Sequence, residues 1–121
     1  MTMTLNGYQL RQESTAVYDT PMYPFGSIAE EAGEVMGKLN KYTRKNKVTY
    51  EEAIAHAKNP IGEVQINLRK ALIAELGDVL WQVSAATGEL GLELEDIARM
   101  NITKLQGRKS RGTLNGKGDD R

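Results

Sequence analysis

An all-α domain of antiparallel four-helix-bundle type is what this sequence predicts, and three observations carry the prediction. Apolar residues recur at spacings of three and four with almost no strict alternation, which is the period of a helix and not of a strand. Prolines, glycines and capping sequences divide this pattern into segments of helical length. The chain has 121 residues, enough for one domain that buries roughly two-thirds of its unfolded surface and too few for two.

The first segment predicts a helix over Leu5 to Val17, with Thr4 as N-cap, ending before "DTPMYPFG", where Pro21 and Pro24 stop it. "SIAE" then reads as a capping box, Ser27 with Glu30, opening a second helix with the stripe Ile28, Ala32, Val35, Leu39 and Tyr42 that fades near Lys45. "TYEE" repeats the box at Thr49 and Glu52 and predicts a short helix to about Lys58, stopped by Asn59 and Pro60. A third long helix begins between Gly62 and Leu68 and runs to Glu89, with Gly91 as its stop. The last helix starts near Glu93, where acids at 93, 95 and 96 suit the positive end of the helix dipole, and continues towards Arg108. The tail "GTLNGKGDDR" is glycine-rich and is expected to be irregular over 113–121.

Composition narrows the function. Sixteen acidic and sixteen basic side chains leave no net charge, which disfavours nucleic acid as a partner. Without cysteine there are no disulfides and no thiolate metal sites. The N-terminal stretch lacks the basic start and apolar run of a signal peptide, and no segment reaches the length of a membrane span, so a cytoplasmic protein without membrane contact is expected.

The stretch "ALIAELGDVLWQVSAATG" holds two acids, Glu75 and Asp78, and no base. At 100° per residue Leu72, Leu76, Val79, Leu80 and Val83 form a stripe, and Glu75, Asp78 and Gln82 line its border. The other side carries Ala74, Gly77, Trp81, Ser84 and Ala85, so this helix is expected to be enclosed on nearly every side. Partly desolvated carboxylates either become neutral or find a cation. On the second helix Glu31 and Glu34 repeat the three-residue spacing, with Glu30 on the outer side. If both stripes face one core, four carboxylates converge, and an all-oxygen donor set points to Mg²⁺, with Mn²⁺ as a substitute.

The last helix supplies bases. Asn101, Lys104 and Arg108 share one face, followed by Lys109 and Arg111, and an amide, an ammonium and a guanidinium in line suit phosphate oxygens. Set against this, Glu34 with Lys38 is also an ordinary i, i+4 surface pair, and bases at a helix C-terminus are also favoured by its dipole. Tyr18, Tyr23, Phe25 and Trp81 read as core or interface packing, and His56 as a surface residue.

"EEAGEV" (Glu30 to Val35), "ELGDVLW" (Glu75 to Trp81) and "NITKLQGRKSRG" (Asn101 to Gly112), in this order, resemble the MazG-like branch of the all-α nucleoside triphosphate pyrophosphohydrolases. One acid pair alone carries little; two pairs on amphipathic helices followed by N-x-x-K-L-x-x-R carry the resemblance over most of the chain. The segment from about 46 to 67 is longer than a minimal family member needs. The resemblance implies hydrolysis between the α and β phosphates of a nucleotide, releasing pyrophosphate. It implies that Glu31, Glu34, Glu75 and Asp78 hold Mg²⁺ and that Glu30 supports them or orients water. Lys104 and Arg108 would neutralise the triphosphate and Asn101 would hydrogen-bond it, with Lys38 a further candidate. The uncovered second side of the Glu75 helix predicts a homodimer or homotetramer. The rival reading is a non-catalytic helical module for nucleotide sensing or protein interaction.

Overall fold

The computed structural model describes residues 2–115. Five helices follow in order: α1 (Leu5–Glu13), α2 (Met22–Asn46), α3 (Tyr50–Lys58), α4 (Gly62–Glu89) and α5 (Leu94–Ser110). There is no strand among the described residues, as the sequence periodicity predicts. Of the expected irregular tail, Thr113 to Asn115 form coil and turn, and the remainder lies outside the described residues. The chain divides into two compact units, one of residues 17–86 and one joining the N-terminal 16 residues to those from Thr87 onward.

In the 17–86 unit, α2 begins at Met22 and not at Ser27. Pro24 falls in its first turn, where a missing N–H costs nothing because no earlier carbonyl is there to receive it. Ser27 is therefore a buried residue inside the helix, and the S-x-x-E signature caps nothing. At the other end Lys47 takes a left-handed conformation (φ 54°), and the N–H groups of Lys47 and Val48 both donate to Thr43 O. The second capping box forms as read. Glu52 N donates to Thr49 Oγ1 (3.1 Å) and Thr49 N donates to Glu52 Oε1 (3.0 Å). These bonds, the Thr49 backbone bond first, hold the Glu52 carboxyl below its ordinary range.

The core of this unit consists of Leu39, Tyr42, Ala53, Ala57 and Leu68, with Val48 and Leu72 packed against it. The alanines of α3 let the short helix lie close to α2, with Leu68 of α4 in the same cluster, and polar bonds fix its register. Tyr42 Oη lies 2.8 Å from His56 Nδ1, so His56 is half-buried in a hydrogen bond rather than on the surface. Tyr50 Oη donates to Asn40 Oδ1. Arg69 Nη1 donates to Ala57 O (2.8 Å), placing a cation at the negative C-terminal end of α3.

The other unit is clipped together by side-chain amides. Gln9, buried on α1, accepts from Leu94 N (2.9 Å) and donates to Leu92 O (3.0 Å). Asn6 Oδ1 accepts from Glu95 N (3.1 Å), and Asn6 N donates to Glu95 Oε2 (3.2 Å). Thr4 caps α1 as expected, through Gly7 N (2.9 Å). The helix stops at Glu13, four residues short of Val17. Ser14 Oγ and Thr15 Oγ1 donate to Arg11 O and Gln12 O, and such local bonds compete with the helical ladder. Gly91 (φ 71°) makes the turn after α4.

The expected core stripe of α4 is not a core. Leu76 is 56% exposed and Leu80 40%, together with Ile73, while Leu72, Val79 and Val83 are half-buried. Nor is the helix enclosed on its other side, since Ala74 and Gly77 are exposed. What α4 buries are Leu68, Gln82 and the small run Ser84 to Thr87, whose short side chains permit close approach.

Candidate active site

Two helices of the 17–86 unit bring acids together. Leu39 and Tyr42 anchor α2 in the core and Leu68 anchors α4. Helical phase then turns Glu31 on one helix towards Glu75 and Asp78 on the other. One carboxylate oxygen from each of Glu31, Glu75 and Asp78 lies within 4.8 Å of the others. Glu31 and Glu75 are half-buried and Asp78 is exposed, so the cluster opens to solvent on the Asp78 side.

The cluster is electrostatically strained. Desolvation, then the charges of Asp78, Glu75, Glu30 and Glu34, push the Glu31 carboxyl above its ordinary value of 4.5. One cation is already present, because Lys38 Nζ lies 3.8 Å from Glu75 Oε1. An ammonium at that distance compensates one carboxylate and leaves the others facing each other.

Of the four acids expected to converge, three form the close group. Glu34 is exposed one turn along α2 and is not one of the three whose oxygens lie within 4.8 Å; it adds to the field on Glu31. Glu30 is likewise exposed and contributes in the same way. Gln82, four residues beyond Asp78 on α4, is buried. Asn101 and Lys104 are exposed on α5 in the other unit. Arg108 is buried at 4% exposure, which differs from the open phosphate grip its helical position suggests. Thr113 N donates to its carbonyl (2.9 Å), closing the C-terminal turn of α5.

The 17–86 unit also holds an aromatic group. The Tyr18 ring stacks on Tyr23 at 5.4 Å with 20° between planes and meets Trp81 edge-on at 6.2 Å. Sequence spacing gives no sign of this trio, since Tyr18 and Tyr23 lie around a proline-bearing loop. Lys41, Lys45 and Asn67 are also polar residues of the same α2/α4 face that the sequence reading passed over. Their signal was available: Lys38, Lys41 and Lys45 recur at i, i+3 and i+7 in phase with Glu31 and Glu34.

All-oxygen donors on two helices suit a hard divalent cation that keeps sites for water and phosphate. Comparison with known proteins agrees with the chemistry. The model of the MazG nucleotide pyrophosphohydrolase domain matches residues 25–112, a span that contains the acid cluster and the bases of α5. The chain is 30% identical over 128 aligned positions to the Gene 37 protein of Mycobacterium phage L5, covering 98% of this chain and all of that one. No solved structure matches at a significant level. With the family model spanning most of the chain and an acid cluster of the matching chemistry in place, this chain belongs to the MazG nucleotide pyrophosphohydrolase family.

Proposed function

We propose that this protein hydrolyses nucleoside or deoxynucleoside triphosphates between the α and β phosphates, using Mg²⁺ held by Glu31, Glu75 and Asp78. The observation that carries the reading is the convergence of those three carboxylates across α2 and α4. A raised Glu31 carboxyl among like charges is what a site prepared for a cation presents before loading. Bound there, Mg²⁺ (or Mn²⁺) would lower the pKa of water and offset charge on phosphate oxygens.

The chain's own residues supply the rest. A water oxygen bonds to phosphorus while the α–β bridging bond breaks, and the water's proton leaves to a carboxylate. In this reading Glu34 or Glu30, exposed and close enough to act on the Glu31 charge, accepts that proton or orients the water. Lys38, 3.8 Å from Glu75, offsets charge on the departing pyrophosphate. Asn101, Lys104 and Arg108 enter this reading from the family motif alone.

We read residues 1–121 as one catalytic domain working as a homo-oligomer, in the cytoplasm, without nucleic acid or membrane contact. Supporting self-association, Ile66, Ile73, Leu76 and Leu80 expose one apolar line on the side of α4 away from the acids. No helix among the described residues is long and apolar enough to cross a membrane. The test is a panel of ribo- and deoxyribonucleotides with Mg²⁺, resolving pyrophosphate from orthophosphate. Pyrophosphate release that stops with EDTA is expected; binding without turnover would leave a nucleotide sensor instead.

A further inference from the structure

The α2/α4 face changes character along its length. On α2 it reads Glu31, Glu34, Lys38, Lys41, Lys45, all within one helical sector, so an acidic half gives way to a basic half. On α4 the matching line is Val64, Asn67, Ala71, Glu75, Asp78, again in one sector. The Lys38 to Glu75 contact joins the halves, and with Glu31 beside Asp78 at one end and Lys45 across from Asn67 at the other the two helices run antiparallel along this face.

The basic half is a cleft of about 310 Å³ walled by Lys38, Lys41, Lys45, Asn46 and Asn67 over a floor that includes Tyr42 and Leu68. That volume suits a small ligand. Its lining holds three ammonium groups and two carboxamides and not one carboxylate. Among the described residues neither Lys41 nor Lys45 has an acid within ion-pair distance. Lys38 is shared with Glu75, but Lys41 and Lys45 stand one turn apart on the same helical face, and like charges so spaced cost stability unless an anion spans them. From Lys38 to Lys45 the helix rises about 10 Å, room for more than one phosphate.

We propose that this cleft seats the β and γ phosphates of the substrate, so that the triphosphate lies along α2 and α4 with its scissile bond at the acids and pyrophosphate departs along the lysines. The proposal rests on the pyrophosphohydrolase reading for the acid end and adds substrate direction and a preference for triphosphates. Val64 and Asn67 come from the first turns of α4, which gives that end of the helix a role as one wall of the subsite. Lysine suits the task, because a flexible ammonium follows a phosphate chain from bound to departing without a fixed fork geometry.

Inorganic tripolyphosphate, which carries no base or sugar, is the probe. Its affinity in Mg²⁺ is measured by calorimetry for the native protein, Lys41→Ala/Lys45→Ala, Lys41→Arg/Lys45→Arg and the charge-matched control Lys58→Ala/Lys70→Ala, each checked for helicity. Loss of about tenfold or more in the first variant is expected, since charged hydrogen bonds are removed. The arginine variant should retain binding and the control should match the native protein. The ratio of kcat/KM for tri- over diphosphate should also fall in Lys41→Ala/Lys45→Ala. Equal tripolyphosphate affinity in that variant and the control overturns the subsite even if the native protein hydrolyses nucleotides. If the native protein binds tripolyphosphate but hydrolyses no nucleotide, loss of that binding in Lys41→Ala/Lys45→Ala and not in the control supports the subsite and overturns only the catalytic reading.

Discussion

The two sides of α4 use the same helix for opposite purposes. One side, through Glu75 and Asp78, gathers its charges against Glu31, with Asp78 at the solvent edge. The other, through Ile73, Leu76 and Leu80, turns its apolar groups outward to solvent. In an ordinary amphipathic helix charge faces water and carbon faces the core. This arrangement crowds like charges on one side and leaves carbon in water on the other. In our reading each is completed by something external: a cation and phosphates on one side, and a second copy of the chain on the other.

The largest effect should come from breaking the charged side. Glu75→Gln or Asp78→Asn removes a proposed metal ligand. Disturbing partners that merely support such ligands costs 10- to 100-fold, so a loss of about 100-fold or more in kcat/KM is expected. Near-normal turnover in either variant would remove that residue from the metal site. The apolar side is tested with Leu76→Asp combined with Leu80→Asp. Sedimentation should show a native oligomer falling to monomer while helicity persists, and a monomeric native protein would end the oligomer proposal.

A smaller effect concerns pH. The folded-state pKa of Glu31 is raised, so its protonated form favours folding. Its stabilising contribution is present below about pH 4.5 and is lost as pH rises through the raised value. In metal-free buffer Glu31→Gln should therefore raise Tm at pH 7 relative to the native protein, and the difference should shrink at pH 4. Mg²⁺ should reverse the order by stabilising only the native protein. A native protein whose Tm exceeds that of Glu31→Gln at pH 7 without metal would contradict the crowding. The smallest effects distinguish the two S/T-x-x-E sequences. Thr49→Ala should cost about 1 kcal/mol in denaturant unfolding. Ser27→Ala, with no cap to lose, should stay within about 0.5 kcal/mol.

Those two sequences also mark what sequence could and could not reveal. Both carry the same local signature, and only the one after a left-handed break at Lys47 became a helix start. Pro24 reads as a stop from sequence but fits the first turn of a helix that begins two residues earlier. Segment type was legible because periodicity is local. The ends were less so: hydroxyl bonds at Ser14 and Thr15 shortened α1, and nothing in their spacing distinguishes a competing bond from a passive surface residue.

In the site, the pairing of Glu31 with Glu75 and Asp78 was legible because charge in an apolar stretch demands compensation. That Glu34 stands outside the close group was not, since it depends on helix rotation within one sector. The burial of Arg108 was equally hidden, because a basic residue at a helix end looks the same in sequence whether solvated or buried. The exposure of Leu76 and Leu80 shows the limit of reading a stripe as a core: periodicity says that carbon is gathered on one side, not which surface covers it.

The central claim is that Glu31, Glu75 and Asp78 together hold one divalent cation. Mn²⁺ binding followed by electron paramagnetic resonance tests it without nucleotide or turnover. The account predicts that the native protein depletes the free Mn²⁺ signal, that Mg²⁺ competes, and that Glu31→Gln and Asp78→Asn each leave the signal near its protein-free amplitude. Equal depletion by the native protein and both variants would contradict it.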